Sequence, residues 1–200
     1  MARMRNKHFQ NLAACLTILL VAAPVRAGGR WYTYENCRLM TNAYQDGDSF
    51  HVRTRSAELV FRLYFVDAPE CDASYPDRVQ EQAEYWHIST NQTLALGRQA
   101  TAFTRDFLKK RFTVHSRRED AMGRSEHQRF YAVVKTDDAD LAEALVARGL
   151  ARIYGMPADL PDGTSSGKEF GKLRGLERAA RKQGLGGWGL AAKSEAMPSP

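Results

Sequence analysis

The 200-residue chain has only three cysteines, Cys15, Cys37 and Cys71. None stands at the spacing of a zinc site, which excludes a zinc-built fold. A one-sided charge is also lacking. The formal charge is +6, from 29 basic and 23 acidic residues. Arg3, Arg5, Lys7 and Arg26 all lie in the first 27 residues; without them 25 bases face 23 acids, a balance of +2. Whole-chain charge is therefore weak evidence for a polyanionic partner, and local clusters carry more weight. Internal repeats are absent, so solenoid and propeller architectures do not arise. The apolar run from Leu12 to Ala23 is too short for a comfortable transmembrane helix.

That run has another reading. Met1 to Asn11 carries Arg3, Arg5 and Lys7 and no acid, and Pro24-Val25-Arg26-Ala27 ends in a small-x-small site. This is the pattern of a secretory signal peptide over residues 1–27, cut after Ala27. The expected product is a secreted or periplasmic chain. Leu12-Ala13-Ala14-Cys15 resembles a lipoprotein cleavage box, but the apolar run follows Cys15 instead of preceding it. An exported chain that keeps Cys37 and Cys71 makes a Cys37–Cys71 disulfide an expectation. Closing so long a loop is worth roughly 3–4 kcal/mol in the chain-entropy model.

The remaining length suits one domain. Phe50 and Val52 alternate with His51, Arg53 and Arg55, which is strand periodicity. Leu59, Phe61, Leu63 and Phe65 form one apolar face of a second strand, so Ser49–Val66 is expected to be a β-hairpin. Helical spacing is clearest over Thr93–Lys110, with Leu96, Ala100, Phe103 and Phe107 on one side. Further helices are expected near Arg78–Trp86, Asp138–Arg148 and Lys168–Gln183. Strands are expected at Phe112–Ser116, Phe130–Lys135 and Leu150–Tyr154. Short strands with helices between and after them predict an α+β protein: a five-stranded Greek-key OB-fold barrel with packed helices, over residues 28–190. Residues 191–200 are expected to form a disordered tail.

The chemistry concentrates around the hairpin. Asp48 follows the Asp46-Gly47 turn and Asp67 opens Asp67-Ala68-Pro69-Glu70. An antiparallel hairpin is expected to set these two acids opposite each other. Facing like charges destabilise a sheet, and a hard cation such as Ca²⁺ would remove that cost. Glu70 supplies a further carboxylate and Arg62 a cation. A metal, a carboxylate and an arginine together suggest phosphodiester chemistry. One distance stands against this: a straight strand would hold Arg62 and Asp67 roughly 16 Å apart, so the strand has to bend. Basic clusters at Arg53/Arg55, Lys109-Lys110-Arg111 and Arg117-Arg118 are either nucleic-acid contacts or solvated faces.

Asp46-Gly-Asp-Ser-Phe50, Arg62-Leu-Tyr-Phe-Val-Asp-Ala-Pro-Glu70, Gly97-Arg-Gln-Ala-Thr-Ala-Phe-Thr104, Glu143-Ala-Leu-Val-Ala-Arg-Gly-Leu-Ala151 and the helix up to Trp188 together resemble the staphylococcal nuclease family. The resemblance implies a Ca²⁺-dependent nuclease acting on DNA and RNA, single strands favoured, leaving 3′-phosphate ends. It implies Asp48, Asp67 and the Ala68 backbone carbonyl as metal ligands. Glu70 would orient or deprotonate the attacking water, and Arg62 would bind phosphate as charge develops. A second arginine is either Arg129, by strand register, or Arg124, by the Asp120-x-x-Gly-Arg loop. The loop tyrosine of the family is Met122 here. A monomer is expected. The competing readings are a non-catalytic OB module that binds nucleic acid or a protein, and an enzyme of the same site type with another metal or a narrower phosphodiester substrate.

Overall fold

The computed structural model describes residues 29–41, 45–122 and 128–195. The proposed leader over 1–27, the loop arginine Arg124 and residues 196–200 lie outside the described residues. Strands β1 (Tyr32–Leu39), β2 (Ser49–Arg53), β3 (Glu58–Leu63), β5 (Phe112–Asp120) and β6 (Arg129–Lys135) close a barrel in the order β1-β2-β3-β6-β5. β3 and β6 pair in parallel and the other neighbours are antiparallel. This is the expected OB-fold barrel. Two short strands, β4 (Val66–Asp67) and β7 (Arg152–Ile153), form a separate antiparallel pair.

Alternation drives the barrel. Phe50, Val52, Phe61, Leu63, Phe112, Val114, Ala132 and Val134 point inward and are at most 3 % exposed. Burying each larger side chain of this set contributes roughly 1.5–3 kcal/mol. Helices α1 (Pro76–Trp86), α2 (Thr90–Phe107), α3 (Leu141–Ala147), α4 (Ser166–Gln183) and α5 (Gly187–Glu195) extend the same core through Trp86, Leu96, Ala100, Leu141, Leu145 and Leu173. α2 starts before Thr93 because Ser89 and Gln92 form a capping box. α5 carries helix past residue 190, into the segment expected to be a tail.

The hairpin differs from expectation in one important way. Its second strand stops at Leu63 instead of running to Val66. Phe65 has φ +69°, and the Val66 N–H donates to the Tyr64 carbonyl at 2.9 Å. This three-residue turn belongs to the rare γ class. Asp48 consequently lies beside Leu63, whose N–H donates to the Asp48 carbonyl at 2.9 Å, and not opposite Asp67 in the ladder. The turn folds Asp67 back toward Arg62 and removes the separation that a straight strand would impose.

The Cys37–Cys71 disulfide is corrected: both cysteines are free thiols. Cys37 is fully buried in the barrel wall, and its S–H donates to the Tyr34 carbonyl at 3.2 Å. Burial pushes its thiol up to about 11, so it stays protonated at neutral pH. Cys71 lies in the loop after Glu70, with its sulfur 4.0 Å from the Gln45 carbonyl.

Candidate active site

The Asp46-Gly47-Asp48 turn is held from two sides. One Asp46 carboxylate oxygen accepts from the N–H groups of Asp48 and Ser49 at 3.1 and 2.6 Å, an Asx-type turn. Its carboxyl is pushed well up, by burial and then by the charge of Asp48. Behind the turn, the Thr104 hydroxyl of α2 donates to the Gly47 carbonyl at 2.7 Å. Asp48, 2 % exposed, accepts from the Ala68 N–H and from Arg62 Nη2, both at 3.2 Å.

Asp67 is fully buried and receives four donors. Oδ1 accepts from Arg62 Nη2 at 2.7 Å and Arg78 Nη2 at 2.8 Å. Oδ2 accepts from Arg152 Nε at 2.9 Å and Gln82 Nε2 at 3.1 Å. Burial pushes this carboxyl up, but Arg78, Arg152 and Arg62 outweigh it and hold the group below the usual carboxylate range. Arg152 also pairs with Glu81 at 3.0 Å.

Glu70 joins the same network. Its N–H donates to Gln82 Oε1 at 2.9 Å, and its carboxylate accepts from Arg78 Nε at 2.6 Å. Burial raises the Glu70 carboxyl, aided by the charges of Asp48 and Asp67 and opposed by Arg78. A raised carboxyl pKa brings a group closer to the range useful for proton transfer near neutrality. α2 backs the loop closely: a Cβ on Gly97 would stand 2.2 Å from the Glu70 carbonyl oxygen and 2.6 Å from that of Pro69.

Asp48, Asp67, Ala68, Glu70 and Arg62 are thus brought together. Arg129 is close by but not joined to them. It occupies β6 opposite Val60, while Arg62 is opposite Tyr131, so the two arginines share a barrel face one pair apart. Its Nη2 donates to the Met122 carbonyl at 2.9 Å.

Three members of the network fall outside the residues that the sequence singles out: Arg78, Gln82 and Arg152. Arg78 and Gln82 are four apart on α1, so they share a helix face, and that spacing is the available signal. Arg152 is 3 % exposed and lies directly across the β4–β7 pair from Asp67. Only a correct pairing of β4 with β7 could reveal it.

Among the described residues no group of three or more His, Cys, Asp or Glu side chains is arranged to hold a metal. The donor chemistry nevertheless suits a hard cation, which prefers carboxylate and carbonyl oxygen. Arg62 Nη2, within reach of both Asp48 and Asp67, already places positive charge between the two carboxylates. The Ala68 carbonyl accepts one hydrogen bond, from Gln82 Nε2 at 3.1 Å, which leaves its second lone pair.

A family model described as staphylococcal nuclease homologue matches residues 60–189. No curated protein matches the chain.

Proposed function

The chain belongs to the staphylococcal nuclease family, and from this premise we propose that it is an exported, calcium-dependent nuclease hydrolysing phosphodiester bonds of DNA and RNA. Export rests on the signal-peptide pattern of residues 1–27. The observation that carries the catalytic reading is the convergence of Arg62 on Asp48 and Asp67, with Glu70 tied to the same cluster through Arg78.

Asp48, Asp67 and the Ala68 carbonyl would hold Ca²⁺. When bound, the ion supplies positive charge against a phosphate oxygen. Arg62 exchanges its aspartate contacts for the substrate phosphate, where its planar fork binds two oxygens. Glu70 holds the attacking water and accepts its proton as the new O–P bond forms. The P–O5′ bond breaks and the departing 5′-oxygen takes a proton from solvent water, leaving a 3′-phosphate and a 5′-hydroxyl. Arg129, on the face of Arg62 in the neighbouring strand, takes the second-arginine role in this reading, with Arg124 as the alternative. The substrate is a single strand in preference to a duplex, and the active form is a monomer.

A second reading has its own support. Four protein donors already occupy the acceptor sites of Asp67, as suits an OB module that binds nucleic acid without cutting it. A metal series separates the two. The 28–200 protein is mixed with single-stranded DNA and RNA in Ca²⁺, Mg²⁺, Mn²⁺ or EDTA, and product ends are determined. Calcium-dependent products with 3′-phosphate ends support the nuclease. Folded protein that binds but never cuts supports the module.

A further inference from the structure

Away from the acidic cluster, a groove of about 810 Å³ opens where β1, the β2–β3 turn and the start of β5 meet. Arg38, Arg53, Arg55 and Arg111 line it, against a single lining acid, Glu35. All four arginines are exposed. Among the described residues Arg38 and Arg55 have no ion-pair partner. Arg53 pairs with Glu58 at 2.5 Å, but both side chains are more than half exposed, so the pair is weak and exchangeable. Arg111 donates to the Asn36 carbonyl at 3.0 Å. Separate basic clusters of the sequence, Arg53/Arg55 and Arg111, thus meet in one place.

Aromatic surface adjoins this charge. Tyr34 lines the groove, and its hydroxyl accepts from Arg118 Nε at 2.7 Å. Tyr32, 44 % exposed, lies under the Arg118 guanidinium at 4.9 Å.

The groove is also in line with the candidate active site. Ser49 pairs with Arg62 at one end of β2, and Arg53 pairs with Arg38 at the other. Cross-strand partners point to the same side of a sheet. Phe50 and Val52 point inward, so Ser49, His51 and Arg53 take the outer face. Four residues of strand separate the two ends by roughly 13 Å, a span that one bound strand covers, since an OB fold holds about 4–16 nucleotides.

We infer that this groove is a second contact site for single-stranded nucleic acid, gripping the backbone of a strand whose scissile phosphate lies at Arg62. Charge complementarity favours a polyanion, and the neighbouring tyrosines favour one whose bases are unpaired and able to stack. The inference takes its strand from the nuclease reading, but binding alone tests it.

The test uses a fluorescein-labelled oligothymidylate of about 20 nucleotides in EDTA, with the Kd followed against salt by anisotropy. The 28–200 protein is compared with Arg38→Ser/Arg55→Ser/Arg111→Ser. Arg38→Ser/Arg55→Ser serves if removing the Arg111 side chain unsettles β1, with folding checked by circular dichroism. The triple variant is expected to bind roughly tenfold or more weakly. Its salt slope should be smaller by about 2, since each phosphate neutralised on a single strand contributes about 0.7. An unchanged Kd and slope overturn the inference. So does binding to phosphatidylglycerol vesicles without binding to the oligonucleotide. A parallel cleavage assay in Ca²⁺ separates the two readings: if wild type binds but never cuts there, and the triple variant no longer binds, the groove stands and the nuclease reading falls. If both proteins cut and bind alike, the groove falls and the nuclease reading stands.

Discussion

Gly97→Ala sets two opposing effects against each other. Gly97 is inside α2, where alanine is intrinsically favoured over glycine by about 1 kcal/mol. On propensity alone the variant should be more stable. The new Cβ, however, would meet the Glu70 carbonyl oxygen at 2.2 Å and its carbonyl carbon at 2.5 Å. Such contacts are far inside van der Waals distance, so the Pro69–Glu70 backbone must retreat by on the order of 1 Å, because packed backbone cannot rotate aside as a side-chain tip can. The Glu70 N–H bond to Gln82 and its carboxylate bond to Arg78 are then both stretched. A displacement of this size at a reacting group costs up to about 100-fold in rate. Overpacking costs typically about 1–3 kcal/mol, enough to cancel or reverse the helical gain. The assays are kcat on single-stranded DNA and the urea midpoint. A folded Gly97→Ala protein with wild-type kcat and raised stability would refute the claim that α2 positions Glu70.

Arg62→Ala should tighten Ca²⁺ binding while lowering hydrolysis by orders of magnitude, because the guanidinium now spanning Asp48 and Asp67 competes with the ion; calorimetry showing weaker Ca²⁺ binding would contradict this. Arg152→Met removes one of three guanidiniums on a fully buried carboxylate. Breaking such a pair costs about 3–5 kcal/mol when nothing else compensates, and Arg62, Arg78 and Gln82 remain, so a fall of roughly 2–3 kcal/mol is expected in urea unfolding; an unchanged midpoint would contradict it. Asp140 caps α3 through Ala142 N and Glu143 N; burial, then the charge of Glu143, pushes its carboxyl up to about 6. Its unfolded value is about 3.9, so the folded state holds the proton more tightly and stability falls as pH rises from about 4 through 6. Asp140→Asn keeps a capping oxygen and should be more stable than wild type at about pH 7.5, by up to about 3 kcal/mol, with the gap closing near pH 3.5; an equal gap at both pH values would contradict the buried-charge account.

The barrel is legible in the sequence because its strands alternate strictly: Phe50/Val52 and Phe61/Leu63 face inward as the pattern requires. The acids and Arg62 are legible because they lie in short segments that also resemble the family. The way they meet is not. A reading of apolar alternation carries β3 through Phe65, since nothing in Leu63-Tyr64-Phe65-Val66 signals a turn, and Phe65 adopts φ +69° without the glycine that such a value usually attracts. Tertiary pairing of β4 with β7 overrides local propensity there. Arg78 and Gln82 are hidden because the segment after Cys71 shows polar turn residues before its helix, and its inward face carries polar groups aimed at a charged site. The disulfide expectation rests on compartment and cysteine count, neither of which reports where β1 buries Cys37.

Everything in the proposed chemistry turns on Glu70 acting at a calcium-supported site. Single-stranded DNA cleavage by the 28–200 protein is measured in Ca²⁺ and in EDTA, beside Glu70→Gln at matched stability. Cleavage is expected in Ca²⁺, none in EDTA, and a drop of orders of magnitude in the variant. Cleavage by Glu70→Gln at the wild-type rate, or no cleavage by folded wild type in Ca²⁺, would contradict that chemistry.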